Sequence, residues 1–400
     1  MPENARAHAE QPASAHLLAR RHRGVPASRS RTARRWLPGL RHRGCGPPSQ
    51  GRLRAPGCRA GRGRPQGGSG CREHAALRAW RRRSGRRFVI VGRAPGKAVL
   101  WGEYAVLAGA PAVVLAVDRQ ATCELTPSAA YRFSASGFEA GEAEFRRLPR
   151  NPPHAAPAAL LAWHVLKAFE GEALSPGTFR LGTDAFYSEG RKLGLGSSAA
   201  LCVAVEGACA RWLGEAPRYQ RALAAHRQFQ GGRGSGIDVA AAFFGGALRF
   251  QDGEAQPLTA ALPECRFVWT GVGADTGGHI DRFTAYLNGG DTLALDRLAE
   301  RSQRLCQEPS LDALNDYAQA LRQLDRAAGL GIYTAAHGRA ESLAKVYKLA
   351  YKPCGAGGGD IGAVFAEPPG QFAEFEAAAR AAGLTVLDLE AAPHGIEIRT

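Results

Sequence analysis

Lys192-Leu193-Gly194-Leu195-Gly196-Ser197-Ser198-Ala199-Ala200 runs straight into the apolar stretch 201–213. Glycines at 194 and 196 let backbone amides approach an anion closely, because no Cβ stands in the way. A helix that opens immediately afterwards presents unpaired N–H groups and its positive dipole end to the same anion. The combination makes a phosphate cradle. It lacks the G-x-x-x-x-G-K-[ST] pattern and so is not a P-loop of the Walker type. Taken alone, Gly-Leu-Gly also describes an ordinary turn with Ser197 as helix N-cap.

Outward from this point the chain alternates short strands and helices. β-branched or apolar runs at 88–91, 112–117, 121–125 and 179–181 read as strands, and 155–169 places Leu160, Leu161, Val165, Leu166 and Phe169 near one helix face. Helices are expected at 199–213 and 219–230. Past Pro257 the expectation is a strand at 267–272, helices at 293–306, 311–328, 340–349 and 372–382, and strands at 361–365, 384–387 and 396–399. Strands and helices mixed in this way imply an α+β protein of two domains, 88–256 and 257–400, sharing a cleft.

The net charge of +16 is concentrated at one end. Residues 1–87 hold 22 Arg, no Lys and three acids (Glu3, Glu10, Glu73), leaving 30 Lys+Arg against 33 Asp+Glu for 88–400. The body is therefore slightly acidic, and the basic leader, poor in aromatics, is expected to be disordered. Its readings are an in-frame extension upstream of the natural start, since Met1 is the only methionine, a solvated tail, or a targeting segment. RNA binding is disfavoured, because stacking aromatics and a folded RNA module are missing. Cys45, Cys58 and Cys71 are too widely spaced for a zinc knuckle. The six body cysteines read as reduced thiols of a cytoplasmic protein, and no apolar run reaches the ~18 residues needed to cross a bilayer.

The quoted string is similar to P-x-x-x-G-L-G-S-S-A-A, the nucleotide-binding motif of the GHMP kinases, the superfamily of galactokinase, homoserine kinase, mevalonate kinase and phosphomevalonate kinase. Two more of its motifs follow in order. Ala94-Pro95-Gly96-Lys97 leads to Leu100, Gly102, Glu103 and Tyr104, resembling A-P-G-K-x-x-L-x-G-E-[HY], and Lys352-Pro353-Cys354-Gly355-Ala356-Gly357-Gly358-Gly359-Asp360 resembles the third, substrate-closing loop. Gly190 stands where many members have Pro, and Cys354 where Ser or Thr is usual. Gly234-Ser235-Gly236-Ile237-Asp238-Val239-Ala240-Ala241 is similar to the phosphomevalonate kinase branch. Asp238 as a plain helix cap is the alternative there.

The resemblance implies a two-domain fold, with a ribosomal protein S5-like nucleotide domain followed by a ferredoxin-like domain, and ATP with Mg2+ as cofactors. It implies ATP contacts at Lys192, Gly194, Leu195, Gly196, Ser197, Ser198 and Ala199, with Ser198 on the metal. Lys97 and Asp238 are the expected catalytic pair, Asp238 holding Lys97 or the metal. Tyr104, Arg233, Ser235, Lys352, Gly355, Ala356 and Gly357 are expected to join Lys97 around a small-molecule acceptor, with Lys97, Lys192, Arg233 and Lys352 as the cations around the phosphates. The expected reaction is phosphorylation of 5-phosphomevalonate. Mevalonate kinase is the runner-up, weakened because no carboxylate lies between Glu215 and Asp238. Diphosphomevalonate decarboxylase, a non-catalytic member and an RNA-binding protein rank lower, and both monomer and homodimer remain open.

Overall fold

The computed structural model describes residues 88–137, 141–169, 174–274, 276–367 and 369–400. The readings of the leader fall outside these. Strand β1 (Ile90–Trp101) pairs antiparallel with β2 (Ala112–Pro127) over nearly its whole length. The register shifts at Pro95/Gly96 and again at Val99/Trp101. Proline donates no ladder hydrogen bond, so a bulge is the place where a strand tolerates it. The expected strand at 88–91 stopped short for that reason, since Pro95-Gly96 looks like a break. The polar step Asp118-Arg119-Gln120 likewise split one long strand into two in the sequence reading.

The first sheet runs β14 (Glu397–Arg399), β1, β2, β5 (Gly177–Gly182), β3 (Tyr131–Ser136), β4 (Gly141–Phe145), and β8 (Ala247–Gln251) joins β2 to β9 (Glu254–Pro257). Among the described pairings only β3 with β5 is parallel. Helices α1 (Pro157–Lys167), α2 (Ser197–Leu213) and α4 (Ile237–Phe244) pack with this sheet, and α3 (Tyr219–Phe229) packs on those three helices. Helix α2 is buried almost all round, and its small residues allow close approach: a Cβ on Gly92 of β1 would sit 2.2 Å from the Ala204 carbonyl oxygen.

The second sheet runs β11 (Ala350–Pro353), β12 (Ile361–Ala366), β10 (Glu264–Trp269), β13 (Thr385–Leu387), all antiparallel. It is accompanied by α5 (Thr276–Asn288), α6 (Leu293–Gln307), α7 (Leu311–Ala328), α8 (Ala335–Val346) and α9 (Ala373–Ala381). The architecture is α+β, as expected. The chain does not end in this second sheet, because β14 returns to pair with β1. Polar contacts bind the end of β1 to the later helices: Trp101 Nε1–H donates to Cys306 Sγ (3.2 Å) and the Gly102 N–H to the Tyr317 hydroxyl (2.8 Å). No helix among the described residues is long and apolar enough to cross a membrane.

Candidate active site

A short hairpin, β6 (Tyr187–Ser188) and β7 (Arg191–Lys192), leads into the glycine loop. Gly194 and Gly196 both have φ of +80°, a region that a side chain disfavours. Gly196 occupies the N-cap of α2 and supplies no capping side chain, so Ser197 is not the cap that the plain-turn reading assigned. Ser197 is sealed in the first turn, and its Oγ meets no hydrogen-bond partner among the described residues. The first amides of α2 are left to an outside acceptor, which is the geometry an anion uses. The side chains of Leu195 and Ala199 are wholly buried, so these two residues offer backbone only.

The three glycine-containing motifs meet here. The Lys97 backbone N–H donates to the Leu195 carbonyl (2.8 Å) and its ammonium to the Gly194 carbonyl (3.2 Å). A Cβ on Gly196 would lie 3.0 Å from Lys97 Cγ, and one on Gly355 would lie 3.9 Å from its Nζ. A Cβ on Gly194 would fall 2.2 Å from Asp360 Cγ, so the cradle and the closing loop touch at a point where only glycine fits. Tyr104, itself at φ 60°, donates its hydroxyl to the Ala356 carbonyl (2.6 Å) and packs on Phe283 of α5. Gly355, Gly357 and Gly358 are all at positive φ, and Ile332 lies where a Gly357 side chain would go.

Asp238 sits in the first turn of α4, half-buried, and accepts from the Val239 N–H at 3.0 Å. It makes no ion pair with Lys97 among the described residues, so that part of its expected role has no contact behind it. Ser235 stands just ahead of the Gly236 N-cap, its Oγ accepting from the Ile237 N–H (3.3 Å). Ser198 Oγ lies 3.2 Å from His226 Nε2 on α3. His226 is fully buried; burial pulls its pKa below the ordinary imidazole range, and the nearby Asp238 carboxylate opposes that. Arg233 is exposed and paired with Asp281 of α5 at 2.8 Å. Lys192 is exposed on the hairpin, near Asp360.

One expected cation stands elsewhere. Lys352 is 1% exposed, and its ammonium reaches Glu103 Oε1 (2.6 Å), the Val99 carbonyl (3.3 Å) and Cys354 Sγ (3.7 Å). All three N–H bonds are thereby used inside the protein. Burial works against its charge, Cys354 and Glu103 work for it, and the net places its pKa above the usual lysine value. Glu103 Oε2 also accepts from the Tyr317 hydroxyl (2.9 Å). Lys352 and Glu103 therefore brace the closing loop from beneath. No sequence signal marked this pair, because the ion pair spans residues nearly 250 positions apart.

Two further residues went unassigned in the sequence. Asp360 accepts from the Ala274 N–H (3.0 Å), and burial raises its pKa although that bond, Lys97, Lys192 and His279 all oppose the shift. His337 on α8 accepts from the Tyr351 hydroxyl at Nδ1 (2.6 Å) and donates from Nε2 to the Gly359 carbonyl (3.1 Å). Burial depresses its pKa to about 4 against the pull of the Gly359 bond.

A phosphate cradle on a helix N-terminus, a lysine against it and a glycine loop closing on both are parts for phosphoryl transfer. Residues 161–246 match the family described as GHMP kinases N terminal domain. The segment that carries the cradle, helix α2 and Asp238 is thus similar to a GHMP kinase N-terminal domain. The chain is 27% identical over 335 residues to the phosphomevalonate kinase of Streptomyces sp. (strain CL190), covering 68% of this chain and 88% of that one. Two solved structures share the fold. The Lin0012 protein from Listeria innocua superposes with a TM-score of 0.67 at 22% identity, over 78% of this chain and 99% of that one. Streptococcus pneumoniae phosphomevalonate kinase, in complex with phosphomevalonate and AMPPNP, gives 0.63 at 19%, over 75% and 99%.

Proposed function

We propose that this kinase transfers the γ-phosphoryl group of ATP to the phosphate of 5-phosphomevalonate, giving ADP and 5-diphosphomevalonate. The observation that carries the reading is the match to a phosphomevalonate kinase across 88% of that relative's length. The site is compatible with it. An acceptor phosphate, with a second pKa of about 6, is already ionised near neutral pH, so the reaction needs charge neutralisation and alignment more than a strong base. Lys97 faces both the cradle and the closing loop and is suited to both tasks. Arg233 and Lys192 add positive charge at exposed positions. The closing loop, pinned through Ala356 to Tyr104, positions the acceptor with backbone amides.

The donor set suits Mg2+. It commonly takes one or two protein oxygens and completes its shell with nucleotide phosphates and water. Ser198 Oγ and the Asp238 carboxylate are the oxygens that would hold it, and no cluster of three or more acidic, His or Cys ligands occurs among the described residues. Bound there, the ion would neutralise charge on the β- and γ-phosphates. Release of ADP with 5-phosphomevalonate and with mevalonate, measured side by side on the purified protein, tests the proposal. Turnover with the phosphorylated acceptor is expected. Turnover with mevalonate alone would transfer the assignment to mevalonate kinase.

A further inference from the structure

Deep behind the cradle lies an imidazole that the mechanism above does not use. His226 is fully buried on α3, and among the described residues its ring makes one hydrogen bond, Nε2 to Ser198 Oγ at 3.2 Å. Nδ1 meets no protein donor or acceptor among the described residues. A buried N–H without an acceptor is rarer and costlier than a bare ring nitrogen, so the proton belongs on Nε2 and is donated to Ser198 Oγ. A serine hydroxyl is otherwise a free rotor. With one Oγ lone pair held by His226, the second lone pair and the hydroxyl proton must point away from α3.

Ser198 is half-exposed in the first turn of α2, whereas its neighbours Ser197 and Ala199 are sealed. The direction left open to its hydroxyl is therefore the mouth of the cradle. We infer that His226 is a positioning residue: it fixes the Ser198 hydroxyl so that Oγ offers one lone pair to the cation and its proton to a phosphate oxygen of the nucleotide. Asp238 approaches the same ring from α4, within electrostatic reach. Helices α2, α3 and α4 thus converge on the metal–nucleotide corner through three side chains. The inference rests on the ATP reading above and adds a residue that never touches the ligand.

Calorimetric titration of the full chain with the non-hydrolysable nucleotide AMPPNP, with Mg2+ and with EDTA, tests it on wild type, Ser198→Ala, His226→Phe, His226→Gln and the Ser198→Ala/His226→Phe pair. The Phe variant is expected to bind the magnesium complex about tenfold more weakly, the order of one hydrogen bond to a charged site. Glutamine, whose amide reaches the Nε2 position, should recover affinity to within about threefold of wild type. The double variant should bind no more weakly than Ser198→Ala alone, and affinities in EDTA should change by less than about twofold. Equal losses with and without Mg2+, or losses that multiply in the double variant, would overturn the inference. Should the Phe variant fail to give a cooperative melt, ring nitrogen-15 shifts of wild-type His226 decide. A bare Nδ1 and a protonated Nε2 that respond to the magnesium complex support the role, and insensitivity to it overturns it. Wild type that binds no nucleotide at all would refute the kinase reading itself.

Discussion

Replacing Lys352 by methionine distinguishes a brace from a phosphate ligand. The ammonium and the Glu103 carboxylate are 1% and 2% exposed and lie 2.6 Å apart. Methionine preserves most of the volume but leaves Glu103 with the Tyr317 hydroxyl as its remaining side-chain partner. Removing one member of such a buried pair costs about 3–5 kcal/mol, because the other charge stays desolvated and unpaired. At roughly 2–4 °C per kcal/mol for a body of this size, melting should fall by about 6–20 °C. Lys352→Met combined with Glu103→Leu should recover stability to within about 1–2 kcal/mol, since replacing both charges by apolar groups removes the stranded carboxylate. Denaturant titration gives the stabilities, and initial rates at saturating and limiting acceptor give the kinetic counterpart. Lys352→Met that unfolds within about 1 kcal/mol of wild type, with its KM for the phosphorylated acceptor raised more than tenfold, would refute the reasoning and return Lys352 to the phosphates.

Three more outcomes follow from individual contacts. His337 has a folded pKa of about 4 against the ordinary 6.5, so the stability it contributes is fully present above pH 6.5 and is lost as pH falls towards 4. The loss is roughly 3 kcal/mol, and His337→Gln should flatten that segment of the stability–pH curve. Gly196→Ala should weaken AMPPNP binding and also destabilise the fold by at least ~1 kcal/mol, because φ is +80° and the new Cβ meets the Lys97 stem at 3.0 Å. Undiminished thermal stability would contradict that geometry. Asp238→Asn should lower turnover by roughly 10²-fold, and with an already ionised acceptor the residual rate should not climb steeply with pH. A residual rate that rises with pH would indicate an alcohol acceptor.

The sequence carried the glycine loop, its helix and the three motifs, because those features are local: a helix opening, a run of small residues, a fixed spacing. The helices at 293–306, 311–328 and 372–382 were legible from periodicity for the same reason. Strand β1 was cut short by Pro95-Gly96, since tolerance of proline depends on a bulge that is fixed by the partner strand. Helix α5 and the β3–β4 hairpin were passed over, although Tyr131, Phe133 and Ala135 alternate with Arg132, Ser134 and Ser136 along β3. Within the site the missed residues depend on long-range contacts. Lys352 reads as a cation facing the phosphates until Glu103 is placed beside it, and Asp360 reads as a loop residue until Gly194 is seen to touch it. His226 carries no signal in the sequence, because nothing local links it to Ser198, 28 positions earlier.

Phosphorus NMR of the reaction mixture tests the central claim most directly, because it reports which bond forms. With ATP, Mg2+ and 5-phosphomevalonate, the acceptor's monophosphate singlet should disappear as two coupled diphosphate signals grow in step with the ADP resonances. Mevalonate in its place should leave ATP unchanged. A new monophosphate singlet from mevalonate, with 5-phosphomevalonate inert, would contradict the account.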